Sequence, residues 1–219
     1  MFNNSKYGNI LTVILVVAII AIIGIIGIVA YRIYKAYYID NGAIAAATEF
    51  EDAVTTDDNT NQNTVKPTID GVDDSTSATG TSGKTTTYKG FTVVGTIQIP
   101  TINLKYPILE KVTKKSLETS VALLYTSNGL NEVGNSVIIG HNYRNGTMFS
   151  NVKKLEKGDV IYITDTAGRK VKYTIYNIFR TSGSDGDYIT RNTNGKREIS
   201  LSTCTDDSSA RLIIWAKAD

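Results

Sequence analysis

The chain predicts an all-β fold, with about eight short strands closing or nearly closing into a barrel with one or two short helices. A membrane-spanning helix and a flexible linker precede the barrel. Three observations predict this arrangement. Short apolar runs of strand length recur from Phe91 onward, separated by turn signals such as Asn145-Gly146 and Ala167-Gly168. Ile10 to Tyr31 is a run of 22 residues without a charge. Between the two lies a Thr- and Asp-rich stretch that holds no aromatic residue.

The apolar run reads as a helical anchor. At about 1.5 Å per residue it spans about 33 Å, enough for a hydrocarbon core of about 30 Å. Tyr31, Tyr34, Tyr37 and Tyr38, with Arg32 and Lys35, follow it as an interfacial belt would. Ala45-Ala46-Ala47 resembles a signal-peptidase site, but it lies well beyond a run that is too long for a signal peptide. Residues 10–34 are therefore expected to be an uncleaved anchor and residues 1–9 a short segment ahead of it. Lys6 on one side and Arg32 and Lys35 on the other leave the charge rule undecided about orientation.

Asp40 to Val54 predicts a short juxtamembrane helix. Thr55 to Thr87 holds eleven Thr and five Asp and buries too little apolar surface to offset chain entropy, so residues 35–87 end in a flexible linker. Residues 88–219 are the folded domain, large enough for one core. It carries 18 Lys and Arg against 12 Asp and Glu, whereas the first 87 residues carry 5 against 9. The overall charge of +2 thus hides a basic domain behind an acidic tether, and it argues against a nucleic-acid binder.

Within the domain, Phe91 to Ile102 alternates and Pro100 ends its pairing. Leu104 to Glu110 reads as an edge strand interrupted by Pro107. Thr113 is an N-cap for a helix through about Leu123. Ser136 to Gly140 is a short strand ending at His141. Met148, Val152 and Leu155 fall at helical spacing. Lys157-Gly158-Asp159 turns into a strand over Val160 to Thr164, and the Ala167-Gly168 hairpin returns through Phe179. Arg180 to Lys196 is a long polar loop. Glu198 to Thr203 is a strand ending at Cys204, and Ala210 to Lys217 is the last.

The chain has one cysteine and one histidine. These two cannot make an internal disulfide or a Cys/His zinc cluster, and no cofactor is expected. Both follow apolar strands, where a barrel rim presents side chains to a cleft. A thiolate can attack a carbonyl and a neighbouring imidazole can move the proton. Arg211 opens the strand after Cys204, so a tight antiparallel pair sets it beside the thiol. There it can hold an oxyanion or a substrate carbonyl. The alternatives are a buried structural thiol and an ion pair from Arg211 to Asp206 or Asp207. Asp185-Gly186-Asp187 offers two carboxylates to a calcium ion, too few to make a site alone.

Leu201-Ser202-Thr203-Cys204 followed by Arg211 resembles the sortase signature, TLxTC with a downstream Arg, with Ser200 in place of the leading Thr. Gly140-His141-Asn142 with Gly146-Thr147-Met148-Phe149 is similar to the histidine segment of the same family. The resemblance covers about residues 94–217. It implies an eight-stranded sortase-type barrel and a membrane-anchored cysteine transpeptidase on the outer face of a Gram-positive cell, with residues 1–9 as a short cytoplasmic N-terminus. Cys204 would be the nucleophile, His141 the general acid and base, and Arg211 the substrate or oxyanion clamp. Thr203 would contact the sorting motif and the Thr205 N–H would be a further oxyanion donor. The implied partners are secreted proteins with an LPxTG-like C-terminal signal and a peptidoglycan or pilin amine. The 63 residues from His141 to Cys204 fit class A, D or E, while Asn142 and Thr147-Met148-Phe149 look like class B. A Cys hydrolase of the cell wall and a non-catalytic tethered β-domain are the alternative functions.

Overall fold

The computed structural model describes residues 4–56 and 86–218. Much of the expected linker falls on residues 57–85, outside the described residues.

Alternation along the strands builds the core. Eight strands carry it: β2 (Phe91–Ile99), β3 (Leu104–Leu109), β4 (Val121–Thr126), β5 (Gly134–Ile139), β6 (Val160–Asp165), β7 (Lys170–Ser182), β8 (Arg197–Cys204) and β9 (Ala210–Ala218). A two-residue strand, β1 (Thr87–Tyr88), pairs with the start of β2. The order β2-β3-β4-β5-β8-β9-β7-β6 closes on itself through β6 on β2, so the barrel strands leave no free edge. Ile97 and Ile99 of β2, Ile161 and Ile163 of β6, Ile199 and Leu201 of β8, and Ile214 and Ala216 of β9 point inward into one core.

Three local expectations are corrected. Pro107 does not mark an edge, because β3 has β2 on one side and β4 on the other. The Ser120 hydroxyl takes the Pro107 carbonyl, and the missing N–H faces the same side just ahead of the parallel pairing at Ile108 and Leu109. The helix after Thr113 is a single turn, α2 (Lys114–Leu117), with Thr113 and Ser116 forming a reciprocal cap. The residues beyond it become β4, because Val121 and Ala122 bury completely in the sheet. Arg180 to Ser182 are not loop; they pair with β9, and the long loop begins only after them.

α1 (Asn4–Thr56) is one continuous helix, longer than the expected anchor and juxtamembrane pieces taken separately. Its apolar part is long and apolar enough to cross a bilayer. Residues 41–56 belong to the same compact unit as the barrel. Ala43, Ala47 and Phe50 share one helical face and are buried there. Phe50 packs with Tyr88, Val93, Leu109 and Ala122. Beside it the Glu51 carboxylate accepts from the Thr96 hydroxyl at 2.7 Å and pairs with Lys105 at 3.0 Å. Burial pushes the Glu51 carboxyl up, and these two donors outweigh it to hold the group below its ordinary value.

Candidate active site

Strand register brings the candidate residues together. β8 and β9 run antiparallel with Cys204 opposite Arg211, joined by the short connection 205–209. In that position the Arg211 guanidinium lies against the Cys204 sulfur. Asp206 pairs instead with Lys153 at 2.6 Å, and Asp207 accepts from the Thr205 and Ser209 hydroxyls. These contacts leave Arg211 to the thiol.

β5 runs parallel to β8 with Ile139 opposite Ser202. The pairing continues past the strand end, because the Gly140 N–H reaches the Ser202 carbonyl and the Thr203 hydroxyl donates to the Gly140 carbonyl at 2.8 Å. His141 follows two residues after the end of β5, and Cys204 is the last residue of β8, the strand paired with it. Both are half-buried, accessible yet held by the sheet. The Phe149 N–H donates to the His141 carbonyl, and Phe149 lies tight against Gly140. A Cβ on Gly140 would come within 2.9 Å of both Phe149 and Val121. The His141 and Tyr143 rings lie side by side with centroids 5.0 Å apart.

The two other expected site residues sit differently. Thr203 is buried and its hydroxyl is engaged by Gly140, although the residue lines the pocket beside Cys204. The Thr205 N–H donates to the Ala210 carbonyl at 3.0 Å, closing the loop turn. The Thr205 N–H, the further oxyanion donor that the sequence suggests, is engaged by this turn bond in the structure. Asp185 accepts from the Thr181 hydroxyl and the Asp187 N–H, which hold its carboxyl below the usual range. Among the described residues no three His, Cys, Asp or Glu side chains cluster as a metal site would need.

The sequence reading missed a network around the nucleophile. Asn142 donates to the Cys204 carbonyl at 3.1 Å and to Asp206 at 2.8 Å, and Lys153 holds the other oxygen of Asp206. Lys153 and Asn142 lower the Asp206 carboxyl, and the Thr205 and Ser209 bonds pull Asp207 down to about 2. The connection 205–209 is thus tied down on one side and lines a pocket with Asn142, Phe149, Arg180 and Cys204. Asn142 was visible in the sequence as part of the histidine segment. Its reach to Cys204 depends on the parallel register of β5 and β8.

Comparison with known proteins gives a consistent result. A family model described as a sortase domain matches residues 97–219. Sortase A of Bacillus anthracis is 30% identical over 125 residues, covering 56% of this chain and 58% of that protein. A sortase of Streptomyces coelicolor is 28% identical over 137 residues, covering 55% of this chain and 39% of that protein. The chain therefore spans about half the length of the curated relatives it matches. Among solved structures, a Clostridium perfringens sortase D5 transpeptidase superposes with a TM-score of 0.53 at 33% identity, covering 58% of this chain and 79% of that one. Sortase C-1 of Actinomyces oris gives 0.54 at 30% identity, covering 58% and 72%.

Proposed function

The chain belongs to the sortase family of cysteine transpeptidases, and from that premise we propose that it cleaves an LPxTG-like sorting signal on secreted proteins and transfers the acyl group to an amine. The acceptor is a peptidoglycan or pilin amine. The observation that carries the reading is the Arg211 guanidinium set against the Cys204 sulfur, with His141 two residues past the end of the neighbouring strand β5.

In this reading the Cys204 thiol passes its proton to His141 and the sulfur attacks the carbonyl carbon of the threonine in the signal. The charge that develops on the carbonyl oxygen meets the guanidinium of Arg211, a fixed cation that needs no reorganisation. The C–N bond then breaks and His141 protonates the departing amine. A thioester on Cys204 remains. The acceptor amine attacks it, His141 takes the amine proton, and the C–S bond breaks to release the new amide and the thiol. No cofactor enters any step. Asn142, by gripping the Cys204 carbonyl and Asp206, keeps the nucleophile's backbone and the adjoining loop in one geometry.

Sortases are membrane-associated extracellular enzymes, and α1 supplies a helix able to span a membrane. We place the amino terminus in the cytoplasm and the barrel outside, where sorting signals and cell-wall amines meet.

Intact-mass spectrometry of the full chain in detergent, mixed with peptides of the LPxTG and NPxTN types, tests the reading. One acyl adduct is expected on the wild type and none on Cys204→Ala. An adduct on Cys204→Ala, or no adduct with any peptide, contradicts it.

A further inference from the structure

An imidazole turns easily about its last side-chain torsion, because torsions of this kind have broad wells. A histidine that moves protons is therefore commonly held by a hydrogen bond to its second nitrogen. Among the described residues, neither ring nitrogen of His141 meets a hydrogen-bond partner, and the ring contact that it makes is with Tyr143. The two centroids are 5.0 Å apart and the planes are tilted by 41°. Both values fall in the offset, tilted range that aromatic pairs favour.

The backbone explains why the two rings meet. Asn142 makes an antiparallel bridge with Met148, and side chains alternate along such a paired segment. Asn142 turns toward the Cys204 carbonyl and Asp206, so His141 and Tyr143 on either side of it share the opposite face. Tyr143 is itself anchored. Its N–H donates to the hydroxyl of the buried Ser150 at 3.1 Å, and the next N–H, that of Arg144, donates to the Asn142 side-chain oxygen at 3.0 Å. Burial of part of the ring and the charge of Glu118 push the Tyr143 phenol up, so a neutral ring faces the imidazole. Tyr143 is 42% exposed and joins none of the three apolar clusters of the described residues, so core packing does not account for its place.

Resting on the proposed function above, we propose that Tyr143 is a positioning residue for His141: its ring fixes the plane of the imidazole and leaves both ring nitrogens open to protons. The reaction asks His141 to take a proton from the thiol, give it to the leaving amine, take one from the acceptor amine and return it to the sulfur. A hydrogen bond to one nitrogen would select a single tautomer for all four transfers. A ring contact restricts rotation without that choice. Tyr143 touches neither reacting atom, so its effect runs through the rate constants of proton transfer rather than through substrate affinity.

The test compares the full chain in detergent with Tyr143→Phe, which keeps the ring, and Tyr143→Leu, which keeps an apolar side chain without one. Tyr143→Gln repeats the ring deletion with a side chain suited to an exposed position, should the leucine variant not fold. The rate constants for acylation by the sorting peptide and for resolution by triglycine are both expected to fall about three- to ten-fold without the ring and to stay within about two-fold of wild type in Tyr143→Phe. The KM for peptide and for triglycine is expected to stay within about two-fold throughout. The chain has one histidine, so carbon-13 labelling of histidine gives one imidazole signal in a nuclear magnetic resonance spectrum. That signal is expected to be displaced by the ring current of residue 143 in the wild type and Tyr143→Phe, and to move to the position of a free histidine when the ring is deleted. Unchanged rates in the ring-deleted variants, or a loss in Tyr143→Phe as large as theirs, overturn the proposal. A raised KM with unchanged rate constants also overturns it, and makes Tyr143 a substrate contact. A wild type that forms no adduct with any peptide overturns the proposed function and the positioning role with it, while the histidine signal still reports whether the ring contact exists.

Discussion

The Thr203 hydroxyl donates to the Gly140 carbonyl at 2.8 Å, and this bond ties the residue before the nucleophile to the residue before the histidine. It lies beyond the last paired residues of β5 and β8, where the parallel ladder would otherwise fray. The relative height of His141 and Cys204 rests on it. Thr203→Val keeps the shape and deletes the donor, leaving a buried carbonyl short of a partner at a cost of about 1–3 kcal/mol. Acylation is expected to fall at least about ten-fold, and Thr203→Ser is expected to restore most of it. Equal rates for the valine and serine variants, measured by peptide acylation, contradict this role.

Gly140 is required by close approach. A methyl group there meets Phe149 and Val121 at 2.9 Å. Gly140→Ala must push Phe149 away, and the Phe149 N–H holds the His141 carbonyl. The expected result is a destabilisation of about 1–3 kcal/mol and a loss of acylation larger than that of methanethiosulfonate reactivity. Thermal unfolding and the two rates check it. Parallel losses in both reactions would point to general disorder.

The Asn142–Asp206–Lys153 chain divides into an inner and an outer link. The ion pair is about half exposed, with side-chain exposures of 44% and 51%, so salt screens it. Lys153→Gln is expected to change acylation by less than about three-fold, and by less still at high salt. Asn142→Ala also releases the Cys204 carbonyl, and it is expected to cost about ten-fold or more in kcat. Steady-state kinetics at two ionic strengths distinguish the links.

Glu51 makes docking of the helix segment 41–56 depend on pH. Its donors favour the carboxylate, so its folded pKa lies below the unfolded one. The contribution is complete above the ordinary glutamate pKa of about 4.3 and is lost as the pH falls through the lower folded value. Glu51→Gln is expected to destabilise the chain by about 1–3 kcal/mol near neutral pH. That gap narrows as the pH falls below the ordinary glutamate range and the wild-type carboxylate protonates. Denaturant unfolding at several pH values measures it, and a gap constant with pH contradicts the account.

Much of this was legible before any coordinates. The strand ends at His141 and Cys204 and the downstream Arg211 follow from local pattern, because a short antiparallel pair leaves little choice of register. The barrel class followed from the alternation. What stayed hidden depends on contacts distant in sequence. The first residues of β4 fall inside the helix expected through about Leu123, and their strand state comes from burial of Val121 and Ala122 between β3 and β5. The burial of the segment after Asp40 comes from Ala43, Ala47 and Phe50 packing within the same compact unit as the barrel. The Thr205 N–H looked free because its acceptor, Ala210, becomes one only when the connection closes. Arg191 showed nothing in sequence, since its partners Glu198 and Ser200, Asn135 and Trp215 lie on three different strands.

The central claim is that Cys204 forms a thioester and an amine, rather than water, resolves it. The direct test is product analysis by liquid chromatography and mass spectrometry, using the full chain, a cleavable sorting peptide and increasing triglycine. The account predicts that the amide-linked product replaces the free acid as triglycine rises, and that Arg211→Ala suppresses both products while leaving the ratio between them unchanged. Release of the free acid alone, independent of triglycine, contradicts it and assigns the chain to hydrolysis.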